Sequence, residues 1–257
     1  MRAALHAEWA KLRTAGATIW LLPAAVALTV ALGVVTAAAV RCPAAACGQD
    51  PAKVSLTGID LGQAVVAILA VLVIGGEYGT GMIRVTLTAI PRRATMLAAK
   101  AAIVGALVLA AGAVAVLGSV LAGRLILPGH GFTVAHGYPA LSLADGPVLR
   151  AATGSVLYLV LVALLALGAA TVIRDSAVAI GVVLGLLYLF PVVAAAVPGD
   201  WQRRLEQIGP MTAGLDVQAT VGLRSLPLSP WQGLGVLVAW AAGALFLGGL
   251  LLRLRDA

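Results

Sequence analysis

Six long apolar windows decide what solvent this chain can fold in: roughly Ala17 to Val40, Ile59 to Gly75, Met96 to Gly123, Ala151 to Ile173, Ala177 to Val197 and Gly233 to Leu252. Each is long enough for a helix to cross a hydrocarbon core about 30 Å thick. They hold almost no ionisable side chains, Lys100 near the start of the third being the lone basic one. With 61% hydrophobic and only 11% charged residues, the chain has too little polar surface to cover such segments in water.

A backbone in lipid must satisfy its own hydrogen bonds, which leaves helices or a closed barrel. The composition separates the two. Aromatic residues are only 5%, while Ala, Leu, Val and 30 Gly dominate, which favours close-packed helices over strands of alternating polarity. The expected fold is all-α, a polytopic membrane protein with six transmembrane helices in one domain spanning residues 1–257. The longest stretch between spans is about 35 residues, too short for a separate soluble domain. A secretory leader is the weaker reading of the first window despite the small residues Thr36-Ala37-Ala38-Ala39, because the apolar run exceeds a leader's usual length.

The formal net charge of +7 reads as a topology signal rather than a nucleic-acid surface, since Lys and Arg sit in short segments between the windows. Placing both termini in the cytoplasm puts ten basic residues inside and seven outside, and the inner segments are also the shorter ones. Residues 1–14 fit an amphipathic interfacial helix: Leu5, Trp9 and Leu12 recur at spacings of four and three, with Arg2, Glu8, Lys11 and Arg13 on other faces.

The segment after the second window is the most informative. It runs Gly75-Gly76-Glu77-Tyr78-Gly79-Thr80-Gly81-Met82-Ile83-Arg84, reaches Pro91-Arg92-Arg93, and ends near Lys100. Its residues predict a glycine-loosened exit and a short helix from about Thr80 to Ala89, stopped by Pro91. An ordinary reading also exists, in which Glu77 pairs with Arg84 or Lys100 and Arg92 and Arg93 meet lipid phosphates.

Glu77-Tyr78, Gly81-Met82-Ile83-Arg84, Pro91-Arg92-Arg93 and Lys100 resemble the signature of type-2 ABC exporter permeases: an acid-aromatic pair, a Gly-(Ser/Thr)-(Leu/Ile)-Arg step, a Pro-x-Arg and a Lys in the loop after the second helix. Met82 departs from that pattern, and Thr80 is the nearby hydroxyl for a capping role. His6 to Arg13 and Arg253 to Ala257 are similar to the leader and closing residues of actinobacterial members. The resemblance implies that Glu77, Tyr78, Thr80, Arg84, Pro91, Arg92 and Arg93 form a coupling loop that docks on a separate cytoplasmic ABC ATPase subunit. It further implies a second permease copy or homologue, a place in the cell membrane, and outward movement of an apolar or amphipathic solute. ATP and Mg would then belong to the partner, with no cofactor in this chain.

The chain carries no Gly-x-x-x-x-Gly-Lys-(Ser/Thr) loop, no His-Glu-x-x-His and no Gly-x-Ser-x-Gly, so no catalytic site is expected. The rival readings are a self-contained secondary carrier and a non-transporting sensor or immunity factor. On the outer side, Cys42 and Cys47 are placed for a local disulfide. His130 and His136 lack further ligands for a metal. Trp201, Leu205, Ile208, Met211 and Leu215 suggest a short amphipathic cap, and Gly181 and Gly185 form a small-xxx-small step.

Overall fold

The computed structural model describes residues 2–14, 16–42, 47–82 and 93–254. It is all-α, and six of its helical segments are long and apolar enough to span a membrane. The chain is a multi-pass membrane protein.

After α1 (Arg2–Thr14), the first span is α2 (Gly16–Ala39). A short α3 (Pro51–Leu56) leads into α4 (Ile59–Gly79), and α5 (Arg93–Ile126) is the third span. At 34 residues, α5 is about 51 Å long, more than a 30 Å core requires. The fourth span is α6 (Gly146–Ile173). The fifth joins α7 (Ser176–Leu184), a π-type turn at Gly185–Leu189 and α8 (Phe190–Ala196). Pro191 has no N–H to give, and just ahead of it the Phe190 N–H reaches back five residues to Gly185 O, which widens the helix there. Two short helices, α9 (Asp200–Ile208) and α10 (Pro210–Leu215), precede the sixth span, α11 (Pro230–Leu254). The expected outer cap is therefore two helices, broken where Pro210 opens the second.

α4 and α6 are the central helices, and their inner faces supply most of the buried core with α11 and α5 against them. The peripheral spans expose bulky side chains such as Leu121, Leu125, Val192 and Phe246, a distribution suited to lipid. Trp9 and Trp20 are exposed near one end of the bundle, Trp201 and Trp231 near the other, as amphipathic rings at two interfaces would be.

One close approach lies where α2 crosses the head of α4. A Cβ on Gly58 would stand 1.8 Å from the Thr29 carbonyl oxygen, and one on Gly62 would stand 2.1 Å from the Thr29 hydroxyl. Gly181 and Gly185, the pair singled out by spacing, have no other part of the chain within 4 Å of that position. Gly58→Ala is expected to cost about 1–3 kcal/mol through overpacking. Gly181→Ala should be neutral or gain up to about 1 kcal/mol from helix propensity. Unfolding midpoints of the two variants in detergent check the contrast.

At the end of the bundle where α2 and α5 terminate, a second apolar cluster forms around Cys42, Leu127, Phe132, Tyr138 and Leu141. Cys42 and Cys47 are disulfide-bonded, with Cα atoms 5.7 Å apart. The Cys42 N–H donates to His130 O at 2.9 Å, and His136 Nδ1 lies 2.7 Å from Gly131 O, so both histidines serve the loop's own backbone. Asp50 ties this end together. Its carboxylate caps α3 through the Ala52 and Lys53 N–H groups and accepts from the Thr220 N–H and hydroxyl and the Val221 N–H.

Candidate functional site: a four-charge tie at the other end

Lys100 is the residue that most needs explanation, because an ammonium buried to 1% exposure costs several kcal/mol unless it is paired. One turn of α1 and the last turns of α4 supply the pairs. Lys100 Nζ donates to Glu8 Oε2 at 2.6 Å and to Glu77 Oε1 at 2.8 Å. Lys11 Nζ donates to the same two acids, at 3.1 Å to Glu8 Oε1 and 2.8 Å to Glu77 Oε1. Two carboxylates and two ammonium groups thus close a neutral ring that joins α1, α4 and α5.

The ring also answers a helix-dipole problem. Glu77 lies near the C-terminus of α4, where a negative charge is unfavourable, and the two lysines supply the compensating positive charge. Lys11 is the half-open member. Burial pulls its ammonium down, but hydrogen bonds to Glu77 and Glu8 and the charges of both acids carry it net above the ordinary lysine value. The stabilisation it brings is therefore present below about pH 10.5 and is lost only as pH rises through its higher folded value.

Neighbouring residues extend the junction. The Arg174 guanidinium stands 5.7 Å from the centre of the Tyr78 ring, linking α4 to the turn between α6 and α7. Arg174 takes a left-handed backbone, φ 64°, and its N–H caps α6 at Ala170 O. A Cβ on Gly75 would meet the Ser176 hydroxyl at 2.2 Å, so α4 touches the start of α7 directly. Arg93 opens α5 and donates to the Leu252 carbonyl in the last turn of α11. Helices α1, α4, α5, α6, α7 and α11 all reach this end, where the chain leaves for the segment between Met82 and Arg93.

The expected site residues fall into three groups. Glu77, Tyr78 and Arg93 sit at the junction, but the Glu77 carboxylate turns into the bundle, only 6% exposed, with its Oε1 taking both lysines. It anchors the segment and does not face outward as a contact surface. The Thr80 hydroxyl donates back to Gly76 O at 2.8 Å, closing α4. Arg84, Pro91 and Arg92, with the helix expected over Thr80 to Ala89, lie outside the described residues. Of the two pairings open to Glu77, the one with Lys100 is present, and Arg84 lies outside the described residues.

Glu8 and Lys11 were not expected here, since the amphipathic reading of α1 put them on its polar faces. Glu8 is 1% exposed and Trp9 is 46% exposed, so the side of α1 facing the bundle carries the acid. The usable signal was Lys100 itself: a base inside an apolar run demands an acid from elsewhere. A second buried polar group also went unremarked. Asp60 belongs to the second span, its backbone carbonyl accepts from the Tyr188 hydroxyl, and the fully buried Tyr158 hydroxyl donates to Gln63 Oε1. Gln63 Nε2 in turn approaches Met211 Sδ at 3.3 Å.

No protein-family model matches the chain, and a search of curated proteins returns no match.

Proposed function

We propose that the chain is the membrane-spanning permease subunit of an ATP-driven ABC exporter in the cell membrane, paired with a second permease copy or homologue and a cytoplasmic ATPase. The observation that carries this reading is the tie at Glu77, because it fixes both ends of the segment that resembles a coupling loop. Glu77 holds the exit from α4 and Lys100 holds the entry into α5, and both are locked to α1. A push delivered to residues between Met82 and Arg93 would pass into α4 and α5 together rather than bend a slack loop. Chemistry at the two ends supports one orientation in the cell. A disulfide persists on an oxidising side, and this, with the distribution of Lys and Arg, supports an orientation with Cys42 and Cys47 outside and the tie in the cytoplasm.

The side chains toward lipid and core are dominated by Ala, Val, Leu and Gly, which suits an apolar or amphipathic solute. A second reading, an ion-coupled carrier, draws on Asp60 and the Gln63–Tyr158 pair, polar groups within the spans of the kind such carriers use. Mild-detergent purification of the intact chain from its native membranes separates the two. An ATPase with a phosphate-binding loop should co-purify; its absence, with solute movement following an ion gradient, would transfer the assignment to the carrier.

A further inference from the structure

Next to the bond from Arg93 to Leu252 O, α5 and α11 leave a groove of about 510 Å³ between them. Ala94, Ala98 and Ala101 line it from α5, at helical spacings of four and three, and Leu245, Gly249 and Leu250 line it from α11. The helices touch at its floor, where a Cβ on Gly249 would stand 3.7 Å from Leu97 Cδ2. One lip is Phe246, 71% exposed. On a transmembrane pair such a lip faces hydrocarbon, so a chain of CH2 groups, not water, is the natural filling.

The groove is one leaflet deep. From Ala94 to Ala101 the axis of α5 rises about 10 Å, and from Leu245 to Arg253 that of α11 rises about 12 Å, less than half of a core about 30 Å thick. Its charge lies at one end. Arg253, on the last turn of α11, lines the groove, is exposed and makes no ion pair among the described residues. Arg93 stands beside it, since its guanidinium donates to the carbonyl of Leu252, the preceding residue. The acids of the nearby tie, Glu8 and Glu77, are held by Lys11 and Lys100. The mouth is therefore positive and the shaft apolar.

We propose that this groove binds an anionic glycerophospholipid of the bilayer, with one acyl chain between α5 and α11 against Ala98 and Gly249 and the phosphate on Arg253. Basic pockets between transmembrane helices hold anionic headgroups in this way. The planar fork of a guanidinium matches two phosphate oxygens at once. A free phosphate meets the charge but leaves the shaft empty. A phosphatidylcholine fills the shaft but brings its own cation toward Arg253. The bound lipid bridges the last turn of α11 to the part of α5 that carries Lys100, and so braces the tie from outside. The site is independent of the exporter reading, because neither the groove nor its charge requires an ATPase.

Native mass spectrometry of the delipidated full chain in mild detergent tests this, with dioleoyl-phosphatidylglycerol and dioleoyl-phosphatidylcholine titrated separately. The first phosphatidylglycerol should bind about tenfold more tightly than the first phosphatidylcholine. Added salt should weaken that preference, and pH between about 6 and 9 should not change it, because a guanidinium stays protonated throughout. Arg253→Gln should bring the two lipids to within about twofold of each other. Ala98→Phe, at an exposed position, fills the shaft and should weaken both lipids severalfold. Arg204→Gln, which removes an exposed arginine of α9 at the opposite end, should leave the preference intact. Unchanged gel-filtration profiles confirm that the variants fold. The proposal is overturned if the two lipids bind the intact chain equally, if Arg253→Gln keeps the preference or Arg204→Gln abolishes it, or if Ala98→Phe binds both lipids as the intact chain does. It is also overturned if glycerol 3-phosphate displaces the lipid, since the headgroup alone would then be the ligand, or if the groove is covered by a second copy, seen as dimers that Ala98→Phe separates.

Discussion

Replacing Lys100 by Met should cost about 3–5 kcal/mol. The substitution keeps the length and apolar stem of the side chain but removes the ammonium that faces Glu8 at 2.6 Å and Glu77 at 2.8 Å. Two carboxylates then share a site from which water is excluded, and Lys11 is left as the ion-pair partner of both. Removing one partner of a buried ion pair is far more costly than removing all of them, because the charge left behind has lost its solvent and its counterion. The rescue is therefore specific. Glu8→Gln and Glu77→Gln added to Lys100→Met should recover most of the loss, since Lys11 is one-third exposed and can turn its head toward water. Unfolding in mixed micelles, followed through the single variant and the triple, measures both halves. A Lys100→Met chain as stable as the intact one would mean that the ring is not closed as described.

At the opposite end, Asp50→Ala should cost about 2–3 kcal/mol and release the loop around Thr220. The Asp50 oxygens divide the work. Oδ1 caps α3 through Ala52 and Lys53 and takes the Thr220 hydroxyl, whereas Oδ2 takes the Thr220 and Val221 N–H groups. Loss of the cap accounts for about 1 kcal/mol, and loss of charge-assisted bonds to the loop accounts for the rest. Asp50→Asn tests the division, because it keeps one oxygen for the cap but presents an NH2 group to two N–H donors. It should retain roughly the capping half of the stability, while amide exchange at Thr220 and Val221 accelerates as in the alanine variant. Equal protection of those amides in all three proteins would show that Asp50 holds only α3.

The legible and illegible parts of this fold separate by physical cause. The six spans could be read because lipid imposes a long, local constraint, and the helices begin and end within a few residues of the apolar windows, α6 departing most by starting at Gly146 rather than Ala151. Cys42 and Cys47 were legible because a separation of five residues brings them within reach whatever the rest does. Pairings between distant segments were not. Glu8 looks like one polar residue among several on an amphipathic helix, and only the fold shows that the face carrying it meets Lys100, 92 residues away. The close-packed glycines show the same limit: Gly181 and Gly185 match a packing pattern, but α2 lies against Gly58 and Gly62 instead. Asp60 escaped notice because it begins a window and one acid among many apolar residues barely alters its hydropathy.

The most direct test of the coupling account is the affinity of the co-purifying ATPase for the chain in nanodiscs, compared among the intact protein, Glu77→Ala and Lys100→Ala. An anchored coupling segment predicts that the ATPase binds the intact chain and that each variant, still folded and still disulfide-bonded, binds it at least about tenfold more weakly. Equal affinity for all three, or no ATPase bound to the intact chain, would contradict it.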